Sequence, residues 1–483
     1  MDLFSAYLPY LVAFCLSLPL IIFVFLYKPS NTKLPPGKMG LPIIGESIEY
    51  GLAAAKGNPQ GFIADRMTKY SPDVFRTSLM GENMAVMCGA AGNKFLFSNE
   101  NKLVKSWWPR SVYKVLYFPS PNDKDSSGAA DLMMNMKSYL IEFVKPDALQ
   151  QYIPVMDSMA REHIDMDWAP NREVKVFQLV QKYTFALACR LFMYIQGEEN
   201  IAKIAHPFHL IVQGFMSVPI DLPGTGFNRG IKGGKMIREE IEAVIKRRRT
   251  ELLEKGVSKV PDLLSRMLLS QDEKGRHLND IEINSYMVGL LLASHDTTSS
   301  AITFTLKYLA LFPDVHNKVL KEQMEIAQSK GPGELLNWSD IQKMKYTWCV
   351  ARESMRLAPP AQGAFREATT DFTFAGFTIP KGWKTHWCVH STHKNPKYFP
   401  NPEKFDPSRF EGKGPEPYTF VPFGGGPRMC VGKEYARLEI LVFIHNVVTK
   451  FKLETLLENE KILFGLSALP AKGLPIRLQP HQK

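Results

Sequence analysis

The sequence has few cysteines, and they form no regular framework. Its 483 residues contain six, at positions 15, 88, 189, 349, 388 and 430, with no CxxC pair. Such scattered thiols argue against a disulfide scaffold and fit a cytosolic body. A zinc site at Cys388, His390 and His393 is the alternative to weigh. The alternation from His386 to His390 is typical of a strand, however, and no fourth ligand is near in sequence.

After residue 50 the chain also lacks a Ser- or Gly-rich linker, a block of like charge, an internal repeat and a low-complexity tract. One large domain over residues 51–483 is therefore predicted, although the length exceeds that of the usual single domain. The net charge is +11, from 59 basic and 48 acidic residues. This charge suits an anionic membrane surface or an acidic protein partner. No nucleic-acid motif accompanies it, so no nucleic acid is expected as a partner.

The first apolar run lacks charge altogether. No charged residue occurs from Leu3 to Tyr27, which is long enough to span a bilayer core of about 30 Å as a helix. A cleaved signal peptide is the alternative, but no Lys or Arg precedes the run and no small-x-small site follows it. Lysines at 28, 33 and 38 place the body in the cytosol by the positive-inside rule. The sequence thus predicts a single-pass transmembrane anchor at 3–27 and a Pro- and Gly-rich hinge at 28–50.

Beyond the hinge, helical periodicity dominates. Helical patterns cover residues 149–163, 174–195, 234–255, 280–311 and 315–327, and a last helix is expected at 432–451. Val74 to Cys88 alternates and turns at residues 81–83, which predicts a hairpin, and short strands are expected between Phe372 and Val389. The predicted fold class is mainly α with small β-sheets.

Cys430 lies in the glycine-rich run from Phe423 to Gly432. Because glycine has no Cβ and tolerates positive φ, such a loop can approach a flat cofactor closely. Inward-pointing amides would stabilise a thiolate, whose unperturbed pKa of about 8.5 otherwise leaves it mostly protonated at neutral pH. Arg428 adds a positive charge two residues away. Cys430 is therefore the predicted iron ligand, and a buried structural cysteine in a turn is the alternative.

The pattern Phe-x-x-Gly-x-Arg-x-Cys-x-Gly resembles the haem-binding loop of the cytochrome P450 family. Its defining positions are Phe423, Gly426, Arg428, Cys430 and Gly432. The resemblance implies the cytochrome P450 fold and haem b, with a Cys430 thiolate that pushes electron density towards the iron. It further implies dioxygen as co-substrate and electrons from NADPH through a cytochrome P450 reductase. The order of elements, with the cysteine loop before the last long helix, agrees along the whole chain.

A second motif is Ala-Ser-His-Asp-Thr-Thr, residues 293–298, inside the long apolar helix. Asp and β-branched Thr are poor helix formers there. The resemblance places this stretch at the distal face of the haem, where Thr297 would hold dioxygen and Asp296 would supply protons through water. The alternative is a Thr that bonds back to a carbonyl one turn earlier and bends the helix. Ser294 departs from the family, which usually has Gly at this position.

A third motif is Glu353-Ser-Met-Arg356, whose charged residues share a helix face at i and i+3. The resemblance assigns them to the family's Glu-x-x-Arg motif and ties them to Arg409. Their expected role is structural, since a buried Arg shared between Glu and a loop would lock the region behind the cysteine ligand.

Haem propionates need cations, and three residues are candidates: Arg428, Arg366 and Lys137. For the last two, a solvated surface charge is the alternative. Lys433 and Arg437, on the last helix, lie near the thiolate side, where an acidic electron donor would have to approach.

Longer stretches, such as PYTFVPFGGGPRMC and GKEYARLEILVF, look like plant cytochrome P450 enzymes that oxidise cyclic terpenoids. The best likeness is to the branch acting on triterpenes such as β-amyrin, lupeol or dammarenediol, including carbon-28 oxidases. That branch commonly has Pro where Val431 stands. The expected location is the endoplasmic reticulum membrane, with the catalytic domain facing the cytosol. The alternatives are a taxane-type diterpenoid or sterol hydroxylase, an isomerase or dehydratase of the same fold, and a non-catalytic haem-binding protein.

Substrate contacts are expected from apolar segments that border the distal side in this fold, although ordinary core packing would explain their composition equally well. These segments are Trp107 to Tyr117, Phe208 to Pro223, Val288 to Ala293, Ala361 to Phe365 and Leu466 to Leu469.

Overall fold

The computed structural model describes residue 17 and residues 33–41, 44–116, 140–141, 143–215, 217–255, 262–271 and 275–481. The predicted anchor at 3–27 lies outside this range except for residue 17. Among the described residues, no helix is both long enough and apolar enough to cross a membrane. The later part of the hinge is described and is fixed to the body: Arg76 donates a backbone hydrogen bond to Pro36, and Thr378 donates one to Lys33.

Helices make up most of the described chain, as predicted. They are α1 (Ser47–Ala55), α2 (Pro59–Lys69), α3 (Gly89–Ser98), α4 (Arg110–Leu116), α5 (Pro146–His163), α6 (Val176–Met193), α7 (Glu198–Phe215), α8 (Gly226–Lys255), α9 (Leu263–Leu269), α10 (Asp280–Leu311), α11 (Pro313–Gln328), α12 (Trp338–Lys343), α13 (Lys345–Leu357) and α14 (Lys433–Val448).

The strands form small sheets, also as predicted. They are β1 (Val74–Leu79), β2 (Glu82–Met87), β3 (Val104–Ser106), β4 (Glu173–Lys175), β5 (Gly363–Ala368), β6 (Phe372–Phe374), β7 (Phe377–Ile379), β8 (Lys384–Cys388), β9 (Phe451–Thr455), β10 (Ile462–Phe464), β11 (Ala468–Pro470) and β12 (Pro475–Pro480). The five-stranded sheet has the order β1-β2-β8-β5-β3, with β2 and β8 parallel. A second sheet has the order β4-β12-β9, and β6-β7 and β10-β11 are hairpins.

The central helix α10 has the predicted bounds. A capping box begins it, in which the Asn279 side chain accepts from the Glu282 amide and the Glu282 side chain accepts from the Asn279 amide. Buried residues occur on all its faces, which is the pattern of a helix enclosed by the core. It packs against α6, α8, α13 and α14, so its middle is fixed inside the domain.

Helix α8 begins eight residues earlier than the predicted start at 234. Glycines at 230 and 233 suggest a boundary in the sequence, but here they let two helices approach closely. A Cβ on Gly230 would lie 2.6 Å from the Cα of Gly214 in α7, a distance that no real side chain tolerates. The other boundary errors are smaller. The predicted helix at 174–195 loses its first residues to β4, and the hairpin turns at residues 80–81 because Glu82 and Asn83 already belong to β2.

Candidate active site

Cys430 lies in the loop that leads into α14. Its amide donates to the Phe423 carbonyl at 2.9 Å, which closes the loop on itself. Cys430 is exposed, whereas the other cysteines among the described residues, at 88, 189, 349 and 388, are buried. Burial among surrounding atoms nevertheless raises the pKa of the Cys430 thiol, and a backbone hydrogen bond at Gly432 lowers it. A thiol that is surrounded by protein atoms and still accessible to solvent is expected to lie in a recess of the surface.

The glycines of this loop serve packing as well as access. A Cβ on Gly425 would lie 2.4 Å from the ring of Phe97, and one on Gly426, at φ +65°, would lie 2.3 Å from the Phe97 carbonyl oxygen. A Cβ on Gly432 would instead lie 3.9 Å from the Cys430 sulfur. The loop is therefore held against the end of α3. Gly425 and Gly426 allow this packing, and Gly432 lies beside the thiol.

Glu353 and Arg356 are completely buried on α13 and form a two-point ion pair. The Arg356 Nε donates to Glu353 Oε2 at 2.7 Å, and Nη2 donates to Oε1 at 2.8 Å. Arg356 also donates to the carbonyls of His393, at 2.8 Å, and Lys404, at 3.2 Å. Arg409 lies near, with its Nε 3.5 Å from Glu353 Oε1. The structure thus brings together the three residues that the resemblance associates.

His393 connects this ion pair to the cysteine loop, a role that sequence reasoning missed. Its carbonyl accepts from Arg356, and its Nε2 accepts from the Val421 amide at 3.0 Å. Burial, with the neighbouring His390 and Arg356, holds the pKa of His393 well below its usual range. The ring is therefore neutral and can accept a hydrogen bond. His390, the other histidine of the zinc alternative, is bonded to Gln362.

The predicted propionate cations meet at a carboxylate that the sequence did not indicate. Arg366, buried on β5, forms an ion pair with Glu100 Oε2, and the Nε of Arg428 lies 3.4 Å from Glu100 Oε1. Lys137, the third candidate, lies outside the described residues. Two of the three predicted cations are thus neighbours.

Asp296 is a buried carboxyl on α10 with spare hydrogen-bonding capacity. Its Oδ2 is buried and has no hydrogen-bond partner among the described residues. Burial raises the pKa of Asp296 to about 6, and a hydrogen bond with Gln181 of α6 opposes that rise. A carboxyl with a pKa near neutrality can both release and accept a proton under physiological conditions.

Thr297 is half-buried in the next position. Its hydroxyl donates to the Ala293 carbonyl at 2.7 Å, which is the back-bond that a structural role would produce. Its oxygen lone pairs remain able to accept a hydrogen bond. Ala293 itself is exposed although the helix around it is mostly buried, so this face of α10 borders an open space. Thr297 therefore donates to the helix backbone and also lies on an accessible face of α10.

His295 precedes Asp296 and is packed between Phe185 and Phe208. Its Nδ1 is 2.9 Å from the Thr184 hydroxyl. Burial lowers the pKa of His295 to about 3, so the imidazole is neutral at physiological pH. Its Nε2 lies 3.7 Å from Asp296 Oδ1, and this contact is consequently not an ion pair at neutral pH.

Several of the predicted substrate segments lie next to one another. The Trp107 ring is 5.9 Å from that of Phe365, and the Trp108 ring is 6.4 Å from that of Phe215. Ser300 of α10 donates to the Ala468 carbonyl at 2.7 Å, which ties β11 to the same helix. Four apolar segments, distant in sequence, are therefore in contact with each other or with α10.

These residues fit a haem group. An accessible sulfur on a closed loop would suit a soft metal ligand. Arg366 and Arg428 would supply adjacent cations for acidic substituents, and the half-buried Thr297 hydroxyl beside the Asp296 carboxyl, whose Oδ2 has no hydrogen-bond partner among the described residues, would suit handling of protons. Groups of three or more His, Cys, Asp or Glu side chains that could hold a metal ion do not occur among the described residues.

Comparisons with known proteins agree with this fit. The cytochrome P450 family model matches residues 35–475. Beta-amyrin 6-beta-monooxygenase from Solanum lycopersicum is 57% identical over 474 residues, covering 98% of each chain. Beta-amyrin 28-monooxygenase from Vitis vinifera is 55% identical over 480 residues, covering 99% of each chain. The solved structure of retinoic acid-bound cyanobacterial CYP120A1 is similar with a TM-score of 0.81 and 30% identity, over 93% of this chain and 100% of that one.

Both the site and the comparisons therefore lead to one assignment. Family members hold haem b and use dioxygen with electrons that a reductase takes from NADPH. The mainly helical fold, the thiol before the last long helix and the family match over nearly the whole length support the same conclusion. The chain belongs to the cytochrome P450 family and is a haem-thiolate monooxygenase.

Proposed function

We propose that this monooxygenase oxidises a pentacyclic triterpene of the β-amyrin type. The observation that carries the proposal is full-length identity of 57% and 55% to two enzymes named for oxidising β-amyrin. The apolar contacts among Trp107, Trp108, Phe215 and Phe365 suit a rigid hydrocarbon skeleton. Lupeol and dammarenediol skeletons are the next candidates, followed by taxane-type diterpenoids and sterols.

The carbon that is oxidised is a separate matter. The two relatives are named for different positions, 6-beta and 28, at nearly equal identity to this chain. Overall similarity therefore does not select between them, because regiochemistry depends on placement of the substrate at the ångström scale. Identification of the product is required to establish the position.

When bound, haem would supply the redox chemistry that activates dioxygen in the proposed mechanism. Cys430 would hold the haem through its sulfur, and Arg366 and Arg428, with Lys137, would bind its propionates. Asp296 holds a proton on a carboxyl that Gln181 orients, and it delivers that proton through water towards the distal face. The Thr297 hydroxyl accepts a hydrogen bond there while it donates to Ala293. Glu353, Arg356 and Arg409 hold the region behind the thiol.

We further propose a single-pass anchor at 3–27, a hinge at 28–50 and a catalytic domain at 51–483. The anchor would hold the domain on the cytosolic face of the endoplasmic reticulum membrane, where a cytochrome P450 reductase supplies electrons. Support comes from α1, in which no residue is buried. Ile48 and Leu52 are exposed one turn apart on α1 and share one apolar face, and the exposed Ile44 shortly precedes the helix. Such a face would rest on the lipid surface.

The decisive experiment is to incubate the full chain in microsomes with reductase, NADPH and a panel of β-amyrin, lupeol, dammarenediol, a taxane precursor and a sterol. Oxidised β-amyrin is the expected product, identified by mass spectrometry and NMR. A thiolate-type spectrum of the reduced, carbon monoxide-bound protein establishes the ligand separately. Product formed without NADPH would indicate an isomerase or dehydratase. A correct spectrum with no product from any scaffold would favour a non-catalytic haem protein.

A further inference from the structure

Glu100 lies where three parts of the site meet. It follows α3, and its side chain is buried. One carboxylate oxygen pairs with Arg366 of the five-stranded sheet, and the other lies 3.4 Å from Arg428 of the cysteine loop. The two arginines are 62 residues apart in sequence, from position 366 to position 428, and this carboxylate connects them.

The charge of this cluster is not balanced internally. Two guanidinium groups and one carboxylate leave a net charge of +1, and the Arg366 side chain is only 6% exposed. A buried cation that lacks full compensation is costly, so a second carboxylate beside the two arginines would be stabilised. Glu100 Oε1 is buried and makes no hydrogen bond within the described residues, since its contact with Arg428 is an ion pair of poorer geometry. The Arg428 guanidinium therefore retains donors for another anion.

The backbone around Glu100 is fixed from both sides. Phe97, one turn earlier, packs directly on Gly425 and Gly426 of the cysteine loop. Glu100 itself forms a bridge with Val104, which pairs with Ala368 at the end of β5. The segment from Phe97 to Val104 thus links the loop that carries the thiol to the strand that carries Arg366.

We propose that Glu100 is a positioning residue for the haem. It holds Arg366 and Arg428 side by side, so that both guanidinium groups are pre-oriented to bind a propionate. The inference deepens the proposed function and rests on it, because it takes these two arginines to be the propionate cations. Without Glu100, Arg366 would keep its hydrogen bond to the Phe365 carbonyl, but the two guanidinium groups sit on different elements and would repel each other.

The test compares Glu100→Gln with Glu46→Gln, both made in the full chain. Glu46 is a matched control because it is also buried and pairs with an arginine, Arg66, at 2.8 Å, in a cluster that contains neither the cysteine loop nor β5. The first measurement is the rate at which haem transfers to apomyoglobin. We expect E100Q to lose haem about tenfold faster than wild type, because one charge-assisted interaction is lost. E46Q should lose haem at the wild-type rate.

The second measurement is the reduction potential, which a purely structural effect would not change. Loss of a negative charge beside the propionates should move the potential of E100Q to a more positive value, whereas that of E46Q should be unchanged. If E100Q does not fold, Glu100→Asp takes its place. It retains the charge with a shorter reach, so we expect faster haem loss at an unchanged potential.

The outcomes separate the two levels of the proposal. A wild-type protein without a thiolate-type carbon monoxide spectrum would overturn the proposed haem site itself. A wild-type protein with that spectrum, beside E100Q that matches E46Q in both haem transfer and potential, would overturn only the role of Glu100.

Discussion

Two polar pairs lie on helices that pack against each other, α13 and α10: Glu353–Arg356 is completely buried and Asp296–Thr297 is partly buried, and they are built in opposite ways. Both Glu353 oxygens accept hydrogen bonds, and all three Arg356 side-chain nitrogens donate them. Asp296, in contrast, keeps an oxygen with no hydrogen-bond partner in the described part of the chain, and Thr297 is half-buried. A saturated pair stabilises the fold, whereas an unsaturated pair keeps capacity for substrate chemistry at a cost in stability.

The largest effect is expected from Arg356→Ala. It removes both hydrogen bonds that Arg356 donates to the buried Glu353 and leaves the longer contact with Arg409, which should destabilise the protein by about 3–5 kcal/mol and yield protein without bound haem. Haem content per protein is the measurement. Arg66→Ala is the control, since it breaks another buried pair, with Glu46, that is not connected to the cysteine loop. It should lose stability but retain haem. Normal haem content in R356A would contradict the structural role.

Asp296→Asn should separate activity from stability. We expect turnover to fall roughly 100-fold, because the proton donor is lost. Burial raises the pKa of Asp296 to about 6, so the folded state is penalised once pH rises above the unfolded pKa of about 4, and the penalty is complete above pH 6. Asn removes that penalty and should stabilise the protein by about 2 kcal/mol at pH 8.

Thermal unfolding midpoints of wild type and D296N, measured from pH 8 to pH 4, would show this gain in stability of the variant. It should be largest above pH 6 and should shrink towards pH 4. Equal midpoints at pH 8 would mean that the carboxyl is well solvated or paired, and the contrast with the saturated pair would then disappear.

Thr297→Val tests whether the hydroxyl does more than bend the helix. Thr305 is its matched control, because its hydroxyl donates to the Ala301 carbonyl at 2.7 Å on the same helix, in a fully buried position. Thr297→Val and Thr305→Val each lose one hydrogen bond of the same kind, from a hydroxyl to a carbonyl one turn earlier, and each should change the free energy of unfolding by less than about 1 kcal/mol. T297V alone should form several-fold less product per NADPH consumed, with more hydrogen peroxide. Equal coupling in the two variants would leave Thr297 a structural residue.

The smallest effect concerns electron delivery on the thiolate side. Lys433 occupies the first turn of α14, where a positive charge opposes the helix dipole, so its removal should not destabilise the helix. Arg437 is a weaker candidate for contact with the reductase, because its side chain already pairs with Glu434 at 2.8 Å. Lys433→Ala should slow reduction by the reductase about two- to threefold at low salt and show a weaker salt dependence. Lys452→Ala, at an exposed site on β9, should behave as wild type.

The fold class and the helices α5, α6, α8, α10, α11 and α14 could be predicted because local patterns carry them, whereas no helix was predicted at α7. Helix α10 was predicted from Asp280 to Leu311, since its apolar content and polar start are both local. The start of α8 could not be predicted from the sequence, because Gly230 acts through its contact with Gly214 on another helix. The anchor at 3–27 and Lys137 stay predictions, as they lie outside the described residues apart from residue 17.

At the site, residues of the sequence motifs could likewise be predicted from a local pattern, whereas the residues that support them could not. The spacing of Glu353 and Arg356 indicates their pair, because i and i+3 share a helix face. Glu100 and His393 have no such pattern around them. Glu100 bonds with a residue 266 positions later, and His393 with one 28 positions later. Their roles follow from the packing of separate segments.

The sequence by itself predicted Cys430 as the ligand, the mainly helical class, and Asp296 and Thr297 as the acid and the alcohol, because each prediction depends on residues within one helix turn or one loop. The tertiary structure decided which charges meet, which groups stay unsatisfied and what supports the thiol. It placed Glu100 between two arginines and left an Asp296 oxygen without a hydrogen-bond partner in the part of the chain that the structure describes. The reason is physical: burial and ion pairing depend on every segment that surrounds a group, and no local pattern records those neighbours.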